Sequence, residues 1–135
     1  MKRHLASLFF IAFFFICIFT YRWIGLQYEL FFMFWWYDVV AHFFGGIWVV
    51  ALVLTLKKIF YFEIQGDYSG WALFVSILGM VILAGVFWEW WEFVSDRYIF
   101  YTNFTYLPNV FEDTLKDLLV DLLGGIAGFL IFRKI

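Results

Sequence analysis

The sequence predicts an all-α fold, a polytopic transmembrane helical bundle of four spans, and two observations carry that prediction. Hydrophobic residues make up 66% of the 135 and aromatic residues 27%, with a mean hydropathy of +0.91, far from the usage of a soluble domain. The apolar residues also gather into four windows, at 5–22, 36–56, 71–94 and 113–132. Each window is close to the roughly 20 residues that an α-helix needs to cross the hydrocarbon core. At this length the chain reads as one transmembrane domain, residues 1–135, too short for a membrane unit plus a separate soluble module.

The first span follows Lys2 and Arg3 and resembles a secretory signal in its opening residues. It is long for a signal core, lacks a small-residue cleavage site and is followed by further apolar segments, so it reads as retained. It contains Cys17, the single cysteine, which excludes an intrachain disulfide and a CxxC metal site and reads as a small buried hydrophobe. Residues 23–35, WIGLQYELFFMFW, are apolar but carry Gln27 and Glu29 and are too short to cross separately. They fit an interfacial or re-entrant segment, or an early start to the second helix. Paired lysines and the GDYSG turn signal make 57–70 the polar connection between spans two and three. Asn103, the only proline (Pro108) and Asn109 are expected to end the third helix and let the fourth begin.

Basic residues favour cytoplasmic loops. With four spans, Lys2, Arg3, Lys57, Lys58, Arg133 and Lys134 share one side, leaving Arg22, Arg97 and Lys116 on the other. Both termini are therefore expected in the cytoplasm. The acids divide oppositely: Glu63 and Asp67 fall inside, and the remaining carboxylates fall on the outer side.

That topology brings the start of span two, the end of span three and the start of span four to one membrane face. In YDVVAH, Asp38 and His42 are four apart and share a helix face, about 6 Å along the axis. Glu89 and Glu92 of WEWWEF are three apart and again share a face. Asp113, Asp117 and Asp121 form a stripe about 12 Å long that descends from the outer rim.

An aspartate at a helix centre costs about 2.5–3.5 kcal/mol to insert, whereas a leucine returns only about 0.5 kcal/mol. The carboxylates are therefore expected to face the bundle interior or a wet cavity, and to need protons, a cation or basic partners to coexist. Lys116 and Arg97 are the basic candidates, too few to neutralise the cluster.

As a metal site, Asp38, His42, Glu89, Glu92, Asp113, Asp117 and Asp121 offer hard oxygens and one imidazole, suiting Mg²⁺, Mn²⁺ or Ca²⁺, with zinc or iron through the histidine. There is no HExxH and no Glu-x-x-His pair. His42, Glu89, Asp117 and Asp121 lie deepest. The competing account is a satisfied polar network that locks helix packing, or hydrated acids at an interface.

Other features have structural explanations. Trp23, Trp35, Trp36, Trp88, Trp90 and Trp91 fit an aromatic belt at the outer interface. Gly45, Gly46, Gly124, Gly125 and Gly128 fit close packing of spans two and four. No phosphate-binding glycine loop, no Gly-x-Ser-x-Gly elbow and no basic patch of the size nucleic acid needs is present. Ser95 and Thr114 stand near acids without making a catalytic triad.

DVVAHFFGG, WEWWEF and DTLKDLLVDLLGG, on successive spans, resemble the YjdF-like and VanZ-like group of small bacterial membrane proteins, over residues from about 36 to 128. The resemblance implies a helical bundle in the cytoplasmic (inner) membrane and, for VanZ-like members, an association with glycopeptide resistance and the envelope. It matches Asp38 and His42 to the family's acid and histidine, Glu89 or Glu92 to its glutamate, and Asp117 to the aspartate before the glycine-rich turn. Val39 stands where VanZ-like sequences tend to have lysine, and Asp121 where they often have asparagine, so the YjdF-like branch is nearer.

Three functional classes follow. In the leading one the pocket opens to the outer leaflet, binds a divalent cation or shared protons, and as an enzyme acts on a membrane lipid or lipid-linked envelope substrate. Proton or cation transport is the second, weakened because residues 122–132 carry no acid to continue the path. A structural or regulatory membrane partner is the third.

Overall fold

The computed structural model describes residues 2–60, 70–101 and 108–133, and every regular element among them is helical. In chain order these are α1 (Lys2–Gln27), α2 (Leu30–Met33), α3 (Trp35–Phe60), α4 (Gly70–Ser95), a π-helical turn (Asp96–Phe100) and α5 (Val110–Phe132). Three helices are long and apolar enough to cross a membrane: Ser7–Gln27, Trp35–Lys57 and Gly70–Phe100. The fourth expected span forms as a helix of 23 residues, but its aspartates and Lys116 set it apart from those three in composition.

Residues 23–35 divide among the end of α1, α2 and the first residue of α3. α1 runs on through Gln27, five residues past its expected end, and the chain turns at Tyr28 and Glu29. Glu29 adopts the left-handed conformation, φ 54°, that more often falls to glycine where a helix stops. α2 then makes a single turn, Phe34 is extended, and α3 begins at Trp35. The segment is thus a short turn closing one end of the bundle, and α3 starts only one residue early.

At its other end α3 runs to Phe60, past the expected 56, and the turn expected near GDYSG falls at 61–69, outside the described residues. α4 also outruns expectation. It passes into the π turn and stops where Tyr101 takes a left-handed φ of 54°. Asn103 lies outside the described residues.

α3 is the central helix, flanked by α1, α4 and α5, and its closest partner is α5. Glycine makes that approach. A methyl group on Gly46 would collide with the Asp121 carbonyl oxygen and come within 2.9 Å of the Gly125 nitrogen, and one on Gly124 would strike the Phe43 carbonyl. On Gly128 it would sit 3.0 Å from the Ile47 Cα. Backbones in such contact gain dispersion and exclude lipid without help from a hydrophobic driving force. α4 is held to α5 similarly, with Val81 packed on Gly125.

Val50, Ile77 and Val81 are fully buried, with Leu54, Leu73 and Phe129 packed around them, so the half of the bundle away from the acids is a dry apolar plug. α1 turns Phe9, Phe13, Ile16 and Phe19 outward. Cys17 lies on that exposed face and is not the buried hydrophobe the sequence suggested.

Two polar links fasten α1 to α3. Tyr21 and Tyr37 stack at 4.1 Å, each hydroxyl donating to the other's carbonyl oxygen at 3.0 and 2.8 Å, and the Trp48 indole donates to the Ile11 carbonyl at 2.9 Å.

Candidate functional site

The three acid-bearing helix ends meet. Asp38 and His42 come from the first turns of α3, Glu89 and Glu92 from the last turns of α4, and Asp113, Asp117 and Asp121 from the first half of α5. Asp38, His42, Asp117 and Asp121 are buried, Glu89 and Glu92 are half-buried, and Asp113 lies at the more exposed edge. Asp117 is 1% exposed, His42 3% and Asp121 5%.

His42 is the hub. Its Nδ1 lies 3.3 Å from Asp121 Oδ1, its Nε2 lies 3.7 Å from Asp38 Oδ1 and 3.8 Å from Glu89 Oε1. Asp38, His42 and Asp117 each offer one donor atom, all within 4.8 Å of one another, and His42, Glu89 and Glu92 form a second such set. Five buried atoms in this small volume have no hydrogen-bonding partner among the described residues: Asp38 Oδ1, His42 Nε2, Glu89 Oε1, Asp117 Oδ1 and Asp121 Oδ2. Buried polar atoms are nearly always satisfied, and a carboxylate left without a partner costs more than a neutral group.

The outer members of the cluster are paired. Lys116 forms an ion pair with Asp113 one turn away and approaches Asp117 Oδ1 at 3.5 Å. Thr114 donates to Glu89 Oε2 at 2.7 Å, leaving Oε1 for the histidine side. Glu92 pairs with Arg22 and accepts from the Trp88 indole at 2.9 Å.

Sequence reasoning placed Arg22 on the right face but gave it no partner, naming Lys116 and Arg97 instead. Its guanidinium pairs with Glu92, stands 4.0 Å from Asp38, and is held between the Phe31 and Trp88 rings at 5.2 and 5.1 Å. An arginine inside an otherwise apolar helix was the signal that pointed to it. Arg97 stacks over Phe93 at 5.0 Å. Trp88 likewise leaves the expected aromatic belt, whose other members Trp23, Trp35, Trp36, Trp90 and Trp91 are exposed, and belongs to the site.

Three partly open cavities adjoin the cluster. One of about 180 Å³ lies against Arg22, Asp38, Glu92 and Ser95, and one of about 210 Å³ against Asp38, Asp113 and Lys116, the two sharing Phe31 and Phe32 of α2 as a wall. A third, about 140 Å³, reaches His42 and Asp121 from the apolar side.

Compared with known proteins, residues 3–135 match a family described as predicted membrane protein (DUF2238). No curated protein and no solved structure matches.

Proposed function

The chain belongs to the DUF2238 family of predicted membrane proteins, and from that premise we propose a four-span protein of the bacterial inner membrane whose pocket, near the outer leaflet, binds a divalent cation. One observation carries the reading. The buried His42 Nε2 has no partner and faces Asp38 Oδ1 and Glu89 Oε1, while Asp121 engages the ring's other nitrogen. A metal-ligating histidine characteristically gives its second N–H to a carboxylate, which fixes tautomer and ring plane. Donor separations of 3.7 and 3.8 Å are close to those left by one ion held about 2.0–2.5 Å from each donor.

The proposed ligands are Asp38, His42 and Asp117, which form one compact group, with Glu89 approaching the same His42 nitrogen from a second group. Asp121 orients the histidine, and Glu92 and Asp113 are engaged by Arg22 and Lys116. One imidazole among carboxylates suits Mn²⁺ or Zn²⁺, with Mg²⁺ and Ca²⁺ favoured if the imidazole stands aside. A bound ion there would supply Lewis-acid polarisation of a phosphoryl or acyl group on a lipid or lipid-linked envelope substrate. The protein's own part is to hold four donors in a dry, shaped recess beside cavities that open at the rim.

The four-span topology with both termini cytoplasmic is supported by α5, whose 23 residues reach about 34 Å and whose deeper aspartates turn inward. The YjdF-like resemblance supports the same envelope setting. Transport is disfavoured because the plug of Val50, Ile77 and Val81 blocks the path beyond Asp121. A purely structural network is disfavoured by the five unsatisfied atoms.

The test is elemental analysis of protein purified without chelator, alongside His42→Ala and Asp117→Asn. About one divalent ion per chain in the native protein, lost in both variants, is expected. No stoichiometric metal in any preparation, or full retention in both variants, would refute it.

A further inference from the structure

Where α4 meets α5, side chains of one helix fit glycines of the other. Val81 of α4 packs on Gly125 of α5, its methyls 3.0 and 3.2 Å from where a side chain on Gly125 would begin. One turn on along α4 and one turn back along α5 the roles reverse, and Asp121 is the side chain while Gly85 leaves the space that receives it. A methyl on Gly85 would collide with Asp121 Oδ2, and would come within 3.4 Å of the Asp121 Cγ and 3.0 Å of Leu118 Cδ2. Both Gly85 and Asp121 are buried, and Oδ2 has no hydrogen-bonding partner among the described residues. Gly79 on the same helix differs, since a methyl there would meet nothing within 4 Å. Glycine in a helix interior is less favourable than alanine, and at position 85 the space it leaves is filled by the carboxylate.

What would yield to an added methyl separates Gly85 from the glycines that set helix approach. At Gly46 the obstacle is the carbonyl oxygen of Asp121, and at Gly124 that of Phe43, both backbone. At Gly85 the obstacles are the ends of two side chains, a carboxylate and a leucine methyl. A methyl at 85 therefore turns the carboxylate and leaves the helices together. The other oxygen of that carboxylate, Oδ1, is the one 3.3 Å from His42 Nδ1, so turning the group draws it off the ring. We infer that Gly85 is a positioning residue of the site, the socket that fixes the Asp121 carboxylate and, through Oδ1, the plane of the His42 imidazole. This rests on reading Asp121 as the group that orients a metal-binding histidine, and it extends that reading to α4.

The experiment compares Gly85→Ala, Gly79→Ala, Asp121→Ala and the double variant carrying Gly85→Ala with Asp121→Ala. Each full chain is titrated with Mn²⁺ or Zn²⁺ and unfolded thermally. The Nδ1–H proton resonance of His42 is followed in metal-free protein made with ¹⁵N-labelled histidine, and is assigned by its loss in His42→Ala. Gly85→Ala should weaken metal binding about 10–100-fold, the range for losing a carboxylate that orients a ligating histidine. It should also move the Nδ1–H resonance away from its hydrogen-bonded position while the thermal midpoint holds. Gly79→Ala should change none of the three. In the Asp121→Ala background, where the space is empty, the methyl at 85 should cost about twofold at most. An unmoved resonance in Gly85→Ala overturns the inference. So does an equal loss of affinity with Asp121 already removed, which would mean that the methyl acts by another route. A thermal midpoint lowered as far as that of Gly46→Ala overturns it too, making Gly85 a packing contact only. A displaced resonance in a protein that takes up no metal would leave this inference standing and remove only the cation site, whereas metal bound equally by the native protein and by Gly85→Ala would do the reverse.

Discussion

His42 of α3 and Asp121 of α5 face each other across the bundle with Nδ1 and Oδ1 3.3 Å apart, joining residues 79 apart in sequence. The contact presents the opposite ring nitrogen to Asp38 and Glu89. Asp121→Asn keeps the shape and a hydrogen-bonding oxygen but removes the charge that supports the imidazole. Substitutions of a carboxylate that orients a metal-binding histidine typically weaken metal affinity by about 10–100-fold. Titration with Mn²⁺ or Zn²⁺ should therefore show a weakened, not abolished, site, whereas His42→Ala abolishes it.

Arg22 pairs with Glu92 and stands 4.0 Å from Asp38. Removing one partner of a buried pair leaves the other charge uncompensated, at a cost of about 3–5 kcal/mol. Arg22→Ala should lower the thermal midpoint in detergent markedly. Adding Glu92→Gln should recover much of that loss, because it removes the stranded charge. A double variant no more stable than the single would mean that the guanidinium acts by packing between Phe31 and Trp88 instead.

Close approach of α3 and α5 depends on particular glycines. Gly46→Ala must displace the α5 backbone, and overpacking of this kind costs about 1–3 kcal/mol. Gly45→Ala is the control, since its added methyl meets only Asp121 Oδ1 at 3.9 Å, an ordinary contact. Thermal unfolding of the pair should separate them, with Gly45→Ala close to the native protein.

Much of this site could be anticipated because its determinants are local. The three- and four-residue spacings of Glu89 with Glu92, Asp38 with His42, and Asp117 with Asp121 dictate shared helix faces, and the cost of a carboxylate in hydrocarbon dictates which way those faces turn. What could not be read is the rotation of α1 about α3. That rotation decides that Arg22 meets Glu92 and that Cys17 points out. The roles of the carboxylates were hidden for a related reason. Whether an aspartate is a ligand or an orienting partner depends on which ring nitrogen of His42 it reaches, and helix spacing carries no information on that.

The course of α5 has the widest consequences, because its carboxylates set it apart from the three apolar spans. Asp117 and Asp121 are buried against α3 and α4, so their insertion cost is borne inside the protein. Leu115, Leu119, Leu123 and Leu130 form the exposed side. A helix with leucines outward and acids inward behaves toward lipid as an apolar span, despite its mean composition. It should therefore cross, bringing Arg133 to the side of Lys57, the arrangement that the bias of basic residues favours. Single cysteines introduced at position 133 and near position 57, in a Cys17→Ala background, should both resist an impermeant maleimide in intact cells. Both should label after the membrane is opened. Labelling of position 133 in intact cells would mean that α5 does not cross, and the cation pocket would then need rebuilding on a three-span frame.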